Sequence, residues 1–364
     1  MVPDHADQAR RLIVASVTLH DFRSYARLEL SLEPGLVLVT GANGAGKTNL
    51  LESLHVGTQG FSPRSRSDTQ LIRQGTQAAR IELTGSRGPT PVVVGVNLSA
   101  SAPRRATLAG ATLRSAEQLR SELATLVFTP DRLVIVKGGP AARRAYIDRS
   151  LARLYPARAH IAIDYATAVG QRNAALRRVA LGLSDRDVLA PWTAQVADLG
   201  ATLTASRRDV IELLQPGFAE RAAELGVERA SLGYDAELLT IATLEARVDR
   251  DIERGTTGAG PHLDEIAVSS GDRDLRTFGS QGEQRLAVLA LLLSEAELIT
   301  ARRRVPPLLL LDDALSELDE RRRRILSERI GAVGQTIVTA TGAESLPLAP
   351  AQLLRVTPGR VETD

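Results

Sequence analysis

Residues 41–48 read Gly41-Ala42-Asn43-Gly44-Ala45-Gly46-Lys47-Thr48, which matches the spacing G-x-x-x-x-G-K-[ST]. Glycines at this spacing let successive backbone N–H groups curl around a phosphate, and the N-terminus of a following helix favours an anion. Lys47 is placed to neutralise β- and γ-phosphate oxygens of a nucleoside triphosphate, and the Thr48 hydroxyl to ligate Mg²⁺. Lysine usage sharpens the assignment: of 45 basic residues, only Lys47 and Lys137 are lysine. A chain that uses arginine almost everywhere keeps lysine where a compact ammonium must reach between phosphate oxygens, a geometry that suits the broad guanidinium poorly. Far downstream, Leu308-Leu309-Leu310-Leu311 runs into Asp312-Asp313. A buried strand delivers acids to its carboxyl end in this way. Asp312 is then a Mg²⁺ ligand, through water, and Asp313 the group that polarises an attacking water. Lys47, Asp312 and Asp313 are the candidate catalytic residues.

These side chains need a scaffold, and hydrophobic periodicity outlines one. Pro34-Gly35 turns into the apolar run Leu36-Val37-Leu38-Val39, which leads into the glycines, and Asn49 to His55 is helical in pattern. Arg11–Leu19 and Ala26–Leu32 read as strands straddling His20 to Tyr25. Val92–Leu98 and Ala106–Leu113 fit a small antiparallel meander within residues 80–115. From Ala141 to Asp251 the spacing is helical, with breaks at Pro156, Gly182, Pro191, Pro216-Gly217 and Gly233. Strand character returns at Ile266–Ser269, Leu308–Leu311 and Thr336–Thr339. The pattern predicts an α/β nucleotide core assembled from both chain ends, residues 1–137 and 257–364, interrupted by an α-helical lobe at 138–256. There are no sustained heptads, so no long coiled coil is expected.

Composition narrows the class. A length of 364 residues fits two domains or one with a large insertion, and 43% hydrophobic with 24% charged residues is ordinary for a globular chain. Without cysteine, disulfides, iron–sulfur ligation and thiol catalysis are excluded. The longest apolar run, Leu286 to Leu293, is far short of a membrane span, and the polar segment Met1 to Arg10 is no signal peptide. A cytoplasmic protein without a membrane partner is expected. Net charge is only +2 but uneven: Gly138–Leu183 carries eight Arg against Asp148 and Asp164, whereas Asp209–Arg254 carries eleven acids against five Arg. Such asymmetry points to a basic face for a polyanion.

Phe278-Gly279-Ser280-Gln281-Gly282-Glu283-Gln284-Arg285 opens the apolar helix beginning at Leu286, and Ser280-x-x-Glu283 is a capping box. Ser-Gln-Gly-Glu also resembles the signature of ATP-binding-cassette (ABC) ATPases, and Ala314-Leu315-Ser316-Glu317-Leu318-Asp319 resembles their D-loop. Leu19 to Tyr25 ahead of the glycine loop is similar to the chromosome-maintenance branch of that superfamily. Further matches are to one family, the bacterial RecF proteins: Thr129-Pro130-Asp131, Gly138-Gly139-Pro140 with Arg143, Arg144 and Asp148, Gln171 to Leu176, Gly260-Pro261-His262 with Asp264, and Leu311 to Asp319. The resemblance implies an ABC-type P-loop ATPase head acting in recombinational repair. Its ATP-bound form is a head-to-tail homodimer that binds DNA, single- and double-stranded and at their junctions, and works with RecR and RecO to load RecA. Each ATP is held by residues 41–48 of one copy and closed in trans by Ser280, Gln281 and Gly282 of the other, with Asp319 also at the ATP site. Asp313 replaces the longer Glu usual at its position, so slow turnover is expected.

Several assignments stay open between two roles. Arg23 and Tyr25 lie near the adenine or pack a strand turn, and His262 is catalytic or structural. Asp131 stands near the expected Q-loop; no switch histidine follows Thr336–Thr339, which leaves Thr341. For DNA the candidates are Arg143, Arg144, Arg172, Arg177 and Arg178, with Arg64 and Arg66 in a basic loop, through backbone contacts that are salt-sensitive and sequence-independent. Arg302 to Arg304 and Arg321 to Arg324 read as solvated faces. The competing function is the ATPase subunit of a transporter, but 231 residues between Thr48 and Ser280 are more than such a subunit needs.

Overall fold

The computed structural model describes residues 12–65 and 67–363. Arg66, one of the basic-loop candidates, lies outside them. The chain divides into two compact units, one of Met1–Leu133, Glu220–Val227 and Arg285–Asp364, the other of Val134–Ala219 and Glu228–Gln284.

The first unit holds two six-stranded sheets. Strands β1 (Leu12–Phe22) and β2 (Tyr25–Ser31) precede β3 (Leu36–Thr40), and the helix Lys47–Gln59 follows the glycine loop. Strands β4 (Ala78–Arg87), β5 (Thr90–Ser99), β6 (Arg105–Leu108) and β7 (Ala111–Thr112) form the meander, with β8 (Thr125–Phe128) after it. One sheet, ordered β2-β1-β4-β5-β6-β7, is antiparallel throughout. The Lys47–Gln59 helix is buried from Leu50 to Gln59 within one apolar core built from both sheets. Gly57 allows the close approach: a Cβ there would stand 2.4 Å from Leu83 Cδ1 of β4.

In the second unit the helices Pro140–Leu154, Ile161–Ala180 and most of Ala190–Glu224 accompany β9 (Ala230–Asp235), β10 (Glu265–Ser270) and β11 (Arg273–Asp274), a sheet ordered β11-β10-β9. Two sequence expectations give way here. The predicted helical stretch contains a strand, β9, because its register with β10 runs from Ala230↔Ser270 to Asp235↔Glu265. Pairing therefore extends the lobe past residue 256, and compactness places its ends at Val134 and Gln284. Pro216 does not break its helix either; burial of Leu214 and Phe218 on either side outweighs the one hydrogen bond a proline removes.

The other sheet of the first unit is completed by the chain's last third. After the helix Gln281–Arg303 come β12 (Leu308–Leu311), the helix Glu320–Val333, β13 (Thr336–Ala340), β14 (Gln352–Thr357) and β15 (Arg360–Thr363). The order is β15-β14-β3-β13-β12-β8, parallel except for β14–β15. Every residue of β3, β12, β13 and β8 is buried, which is why none of these strands alternates apolar with exposed polar residues. No described helix is long and apolar enough to cross a membrane, and the longest, Ala190–Glu224, has 35 residues.

Lobe motifs assigned to DNA turn out to build its interior. Arg172 is 0% exposed; its guanidinium donates to Asp251 (2.8 Å), Thr257 Oγ1 (2.9 Å) and Thr193 Oγ1 (3.2 Å), while Asn173 Oδ1 accepts from the Thr257 backbone (2.7 Å). Arg143, 4% exposed, bonds Glu265 and the carbonyls of Val136 and Gly138. Arg144 reaches the Asp264 carbonyl at 2.6 Å. Asp148 takes both ends of Arg207, whose Nη1 also donates to the Pro261 carbonyl. Arg143 and Arg172 are therefore no DNA contacts: a guanidinium sealed against a carboxylate has no face to offer a phosphate. Arg177 and Arg178 remain exposed, with bonds to the Gly255 carbonyl (3.4 Å) and Ser184 Oγ (3.1 Å) respectively.

Removing one partner of a buried ion pair leaves the other charge stranded. Arg172→Ala is expected to lower the unfolding free energy by about 3–5 kcal/mol, read by urea denaturation; a loss below about 1 kcal/mol would mean that the Arg172–Asp251 pair behaves as an exposed one.

Candidate nucleotide site

The cleft stands where the parallel strands end. Leu311 pairs with Val338, and Thr339 with Val39, so Asp312 comes level with Thr339 just as β3 gives way to the glycine loop. Carboxyl ends of parallel strands are where α/β sheets bind ligands, because the loops there are free to shape a crevice. Asn43, Gly44, Gly46, Lys47, Thr48, Asn49, Arg64, Pro130, Asp312, Asp313 and Thr339 line it.

The loop conformation depends on its glycines. Gly44 has φ +81° and Gly46 +114°, both in the region that penalises a side chain. Gly41 is pinned from outside as well, since a Cβ would meet the Val356 carbonyl of β14 at 2.4 Å. The Tyr25 hydroxyl donates to the Gly46 carbonyl (3.1 Å), and burial pushes its phenol up, so it stays a neutral donor. Lys47 Nζ rests on the carbonyls of Gly41 (2.6 Å) and Ala42 (3.0 Å), at the mouth of the loop.

Two hydroxyls hold the Asp312 carboxylate. Thr48 Oγ1 lies 2.9 Å from Oδ2, and Thr339 Oγ1 donates to Oδ1 at 2.8 Å. The same Thr339 oxygen accepts the Asp313 backbone N–H at 2.9 Å. Hydroxyl and carboxylate oxygens suit Mg²⁺, an ion that takes few protein ligands and completes its shell with water and phosphate. Among the described residues there is no cluster of three acidic or histidine ligands to hold a metal alone. The residues therefore fit an ion bound together with a nucleotide.

The sequence candidates fare differently. The structure brings Lys47, Thr48, Asp312 and Asp313 together, with Asn43, Gly44 and Gly46. Arg23 does not line the cleft. Its three nitrogens are taken by Glu52 (2.9 Å), the Gln70 carbonyl (2.6 Å) and Ser65 Oγ (2.6 Å), the strand-turn role. Arg64, assigned to DNA, instead lines the nucleotide cleft, 3.6 Å from Glu52. Sequence reasoning does not single out Thr339; Thr341, the residue it offers after that strand, is exposed.

In the second unit, Ser280 and Glu283 form the capping box reciprocally: Ser280 N–H donates to Glu283 Oε2 (2.8 Å) and Glu283 N–H to Ser280 Oγ (3.2 Å). The bond from Ser280 N–H, and Arg273 at 2.9 Å, hold the Glu283 carboxyl below its usual range. Gln284 Nε2 bonds the Leu275 carbonyl (2.8 Å) and fixes the turn ahead of the helix. Ser280, Gln281 and Gly282 stay exposed, and Phe278 beside them is 66% exposed. His262 is structural: its Nε2 faces the Thr257 carbonyl (3.0 Å), its Nδ1 the Tyr165 hydroxyl (2.7 Å), and burial pushes it below the ordinary histidine value. Asp319 caps the helix Glu320–Val333 through Arg322 N–H at 2.8 Å.

A parallel sheet carrying a glycine loop and an acidic strand end, with a capped signature turn opening a later helix, defines an ABC-type P-loop ATPase head. Comparison with known proteins carries this further. Residues 13–363 match the family model of the RecF/RecN/SMC N-terminal domain. The DNA replication and repair protein RecF of Anaeromyxobacter dehalogenans is 36% identical over 348 residues, covering 90% of this chain and 91% of the relative. That of Frankia alni is 34% identical over 355 residues, covering 91% and 94%. The solved structure of the recombination mediator protein RecF-ATP in the RecFOR pathway superposes with a TM-score of 0.88 at 24% identity, over 97% of this chain and 98% of that one. A Pyrococcus furiosus Smc head with an extended coiled coil gives 0.60 at 15%, covering 97% and 96%. The chain belongs to the RecF family and is a DNA repair ATPase, and the transporter alternative falls away.

Thr339→Val keeps the shape of the side chain but removes one donor to Asp312 and one acceptor for Asp313. A bond to a charged group contributes about 1.5–3 kcal/mol, so unfolding free energy is expected to drop by that amount and ATP turnover with it. Thr341→Val should change neither; equal effects of the two in denaturation and phosphate-release assays would place the site's support elsewhere.

Proposed function

We propose that the protein is an ATP-gated DNA clamp of recombinational repair, a head-to-tail homodimer when ATP is bound. The observation that carries this is the Thr48–Asp312–Thr339 cluster at the mouth of the glycine loop, with Asp313 beside it. Lys47 and the loop amides hold the phosphates, Thr48 and Asp312 hold Mg²⁺, and Asp313 orients the attacking water. The ion, when bound, neutralises charge on the β- and γ-phosphates. Asp313 has a shorter reach than Glu, which fits slow hydrolysis that times release rather than powering work.

The exposed signature turn supports the dimer. Its serine and amides are pre-ordered by the capping box, and a helix N-terminus presented to solvent is suited to a γ-phosphate. Ser280, Gln281, Gly282 and Asp319 of the partner subunit then close the site. The large exposed ring of Phe278 is consistent with a surface that another copy covers. DNA is bound through the phosphate backbone, and on this reading Arg177 and Arg178 carry the lobe's share. The relatives' names, a DNA replication and repair protein and a recombination mediator of the RecFOR pathway, support DNA as ligand and partners in that pathway; gapped or junction DNA, and RecR, RecO and RecA as cytoplasmic partners, complete the proposal.

Sedimentation velocity tests the clamp. The chain is expected to move from monomer to dimer on adding ATP and Mg²⁺, and Ser280→Ala to bind nucleotide yet stay monomeric. Normal dimers of Ser280→Ala would exclude closure in trans. Arg177→Glu with Arg178→Glu should weaken DNA binding and flatten its dependence on salt, with the slope falling by about 1 for each phosphate that is no longer neutralised. An unchanged slope would move the DNA surface off these two residues.

A further inference from the structure

Asp313 and Glu317 stand in the left-handed region, with φ of +54° and +62°. For residues other than glycine that conformation costs on the order of 1–2 kcal/mol each. The loop from Asp313 to Glu317 must therefore be held from outside. Thr339 takes the Asp313 N–H. Further restraint comes from Ser316 and from Arg285, a side chain outside the cleft lining.

Arg285 is 4% exposed and lies five residues after Ser280 on the helix Gln281–Arg303. Its Nη2 donates to the Asp313 carbonyl and, at 3.1 Å, to Ser316 Oγ. Ser316 Oγ is in turn 2.9 Å from Asp313 Oδ2. The Asp313 carbonyl stands at the same 2.9 Å; a hydroxyl that accepts from a guanidinium keeps its single proton for one acceptor, and the charged carboxylate is the stronger of the two. Glu317 approaches Nη1 at 3.7 Å. On its flat face the guanidinium stacks over Phe128, 5.2 Å from the ring centroid, at the end of β8 and next to Thr129-Pro130. One buried planar cation thus touches the strand end leading to Pro130 of the cleft, the backbone of Asp313 and the D-loop serine.

We propose that Arg285 is a positioning residue for ATP hydrolysis: it holds Asp313 in its left-handed conformation and, through Ser316, sets the direction of the Asp313 carboxylate. The inference rests on the reading of Asp313 as the group that orients water. Lysine replaces arginine poorly here, because a point ammonium has no plane to lie flat on Phe128 while its edge donates to the Asp313 carbonyl and Ser316. A group that only filled space would be served by any side chain of similar volume, and its loss would weaken nucleotide binding and turnover together. A positioning role separates the two, since Lys47 and the glycine loop are untouched.

The test uses the full chain with Arg285→Lys, Ser316→Ala, their combination, and Asp313→Asn. Binding is read by fluorescence titration with an N-methylanthraniloyl ATP and Mg²⁺, turnover by phosphate release. Arg285→Lys and Ser316→Ala are each expected to lower kcat by about 10- to 100-fold, the effect of misplacing a catalytic group by an ångström or less. Affinity should stay within about twofold, as for an interaction made only in the transition state. The double variant should be no slower than the worse single, because both act through one carboxylate. Turnover retained in Arg285→Lys and Ser316→Ala but lost in Asp313→Asn would overturn the positioning role and leave the reading of Asp313 intact. Turnover retained in Asp313→Asn would overturn that reading and the inference with it. Parallel losses of affinity and kcat in Arg285→Lys would reduce Arg285 to a packing role. If Arg285→Lys does not fold, Ser316→Ala decides alone: a kcat loss at constant affinity upholds the relay, and normal kcat overturns it.

Discussion

The bond from the Thr339 hydroxyl to Asp312 is the constraint on which the nucleotide site depends. A carboxylate at 7% exposure needs donors, and Asp312 finds them in Thr339 from the neighbouring strand and Thr48 from the glycine-loop helix. Because Thr339 also accepts the Asp313 N–H, one hydroxyl fixes both acids relative to the sheet. The glycine loop and the acidic strand end are separated by the width of β13, and β13 supplies the atom that joins them. Such a network is worth having only when complete, since a half-satisfied buried carboxylate is costly.

What could be read from the sequence was local. Strand β3, the glycine loop and its helix are contiguous, and each has its own pattern: an apolar run, spaced glycines, then helical periodicity. The Ser280–Glu283 box was legible for the same reason, as it is complete within four residues. Asp312 was legible because a buried strand must end before a charge. Thr339 was not. Nothing in Thr336-Ile337-Val338-Thr339 marks its second threonine, and its role arises from parallel pairing with strands about 300 and 30 residues away.

Arginine gave the least reliable signal. Counting charge along 138–183 shows an excess, yet the partners that neutralise Arg143 and Arg172 stand 122 and 79 residues downstream, outside that stretch. The acidic stretch that looked like the opposite pole of a charge gradient supplies Asp251 to Arg172. Charge asymmetry along a chain becomes a charged surface only where folding leaves the charges apart, and here part of it closes on itself. The same holds for Arg23 and Arg64, drawn to one carboxylate, Glu52, on the buried face of the glycine-loop helix.

The sheet order has a consequence for synthesis. Strand β3 has two neighbours, β13 and β14, and both come from residues made some 300 positions later. Until residues 336–357 leave the ribosome, the glycine loop has no sheet to hang from, and Gly41 lacks the Val356 carbonyl that shapes it. Loop closure over that length must precede any reward from those pairings, which makes this sheet a late event in folding. A nascent or truncated chain therefore carries the phosphate-binding sequence without the capacity to use it, and nucleotide binding reports that translation has passed β14.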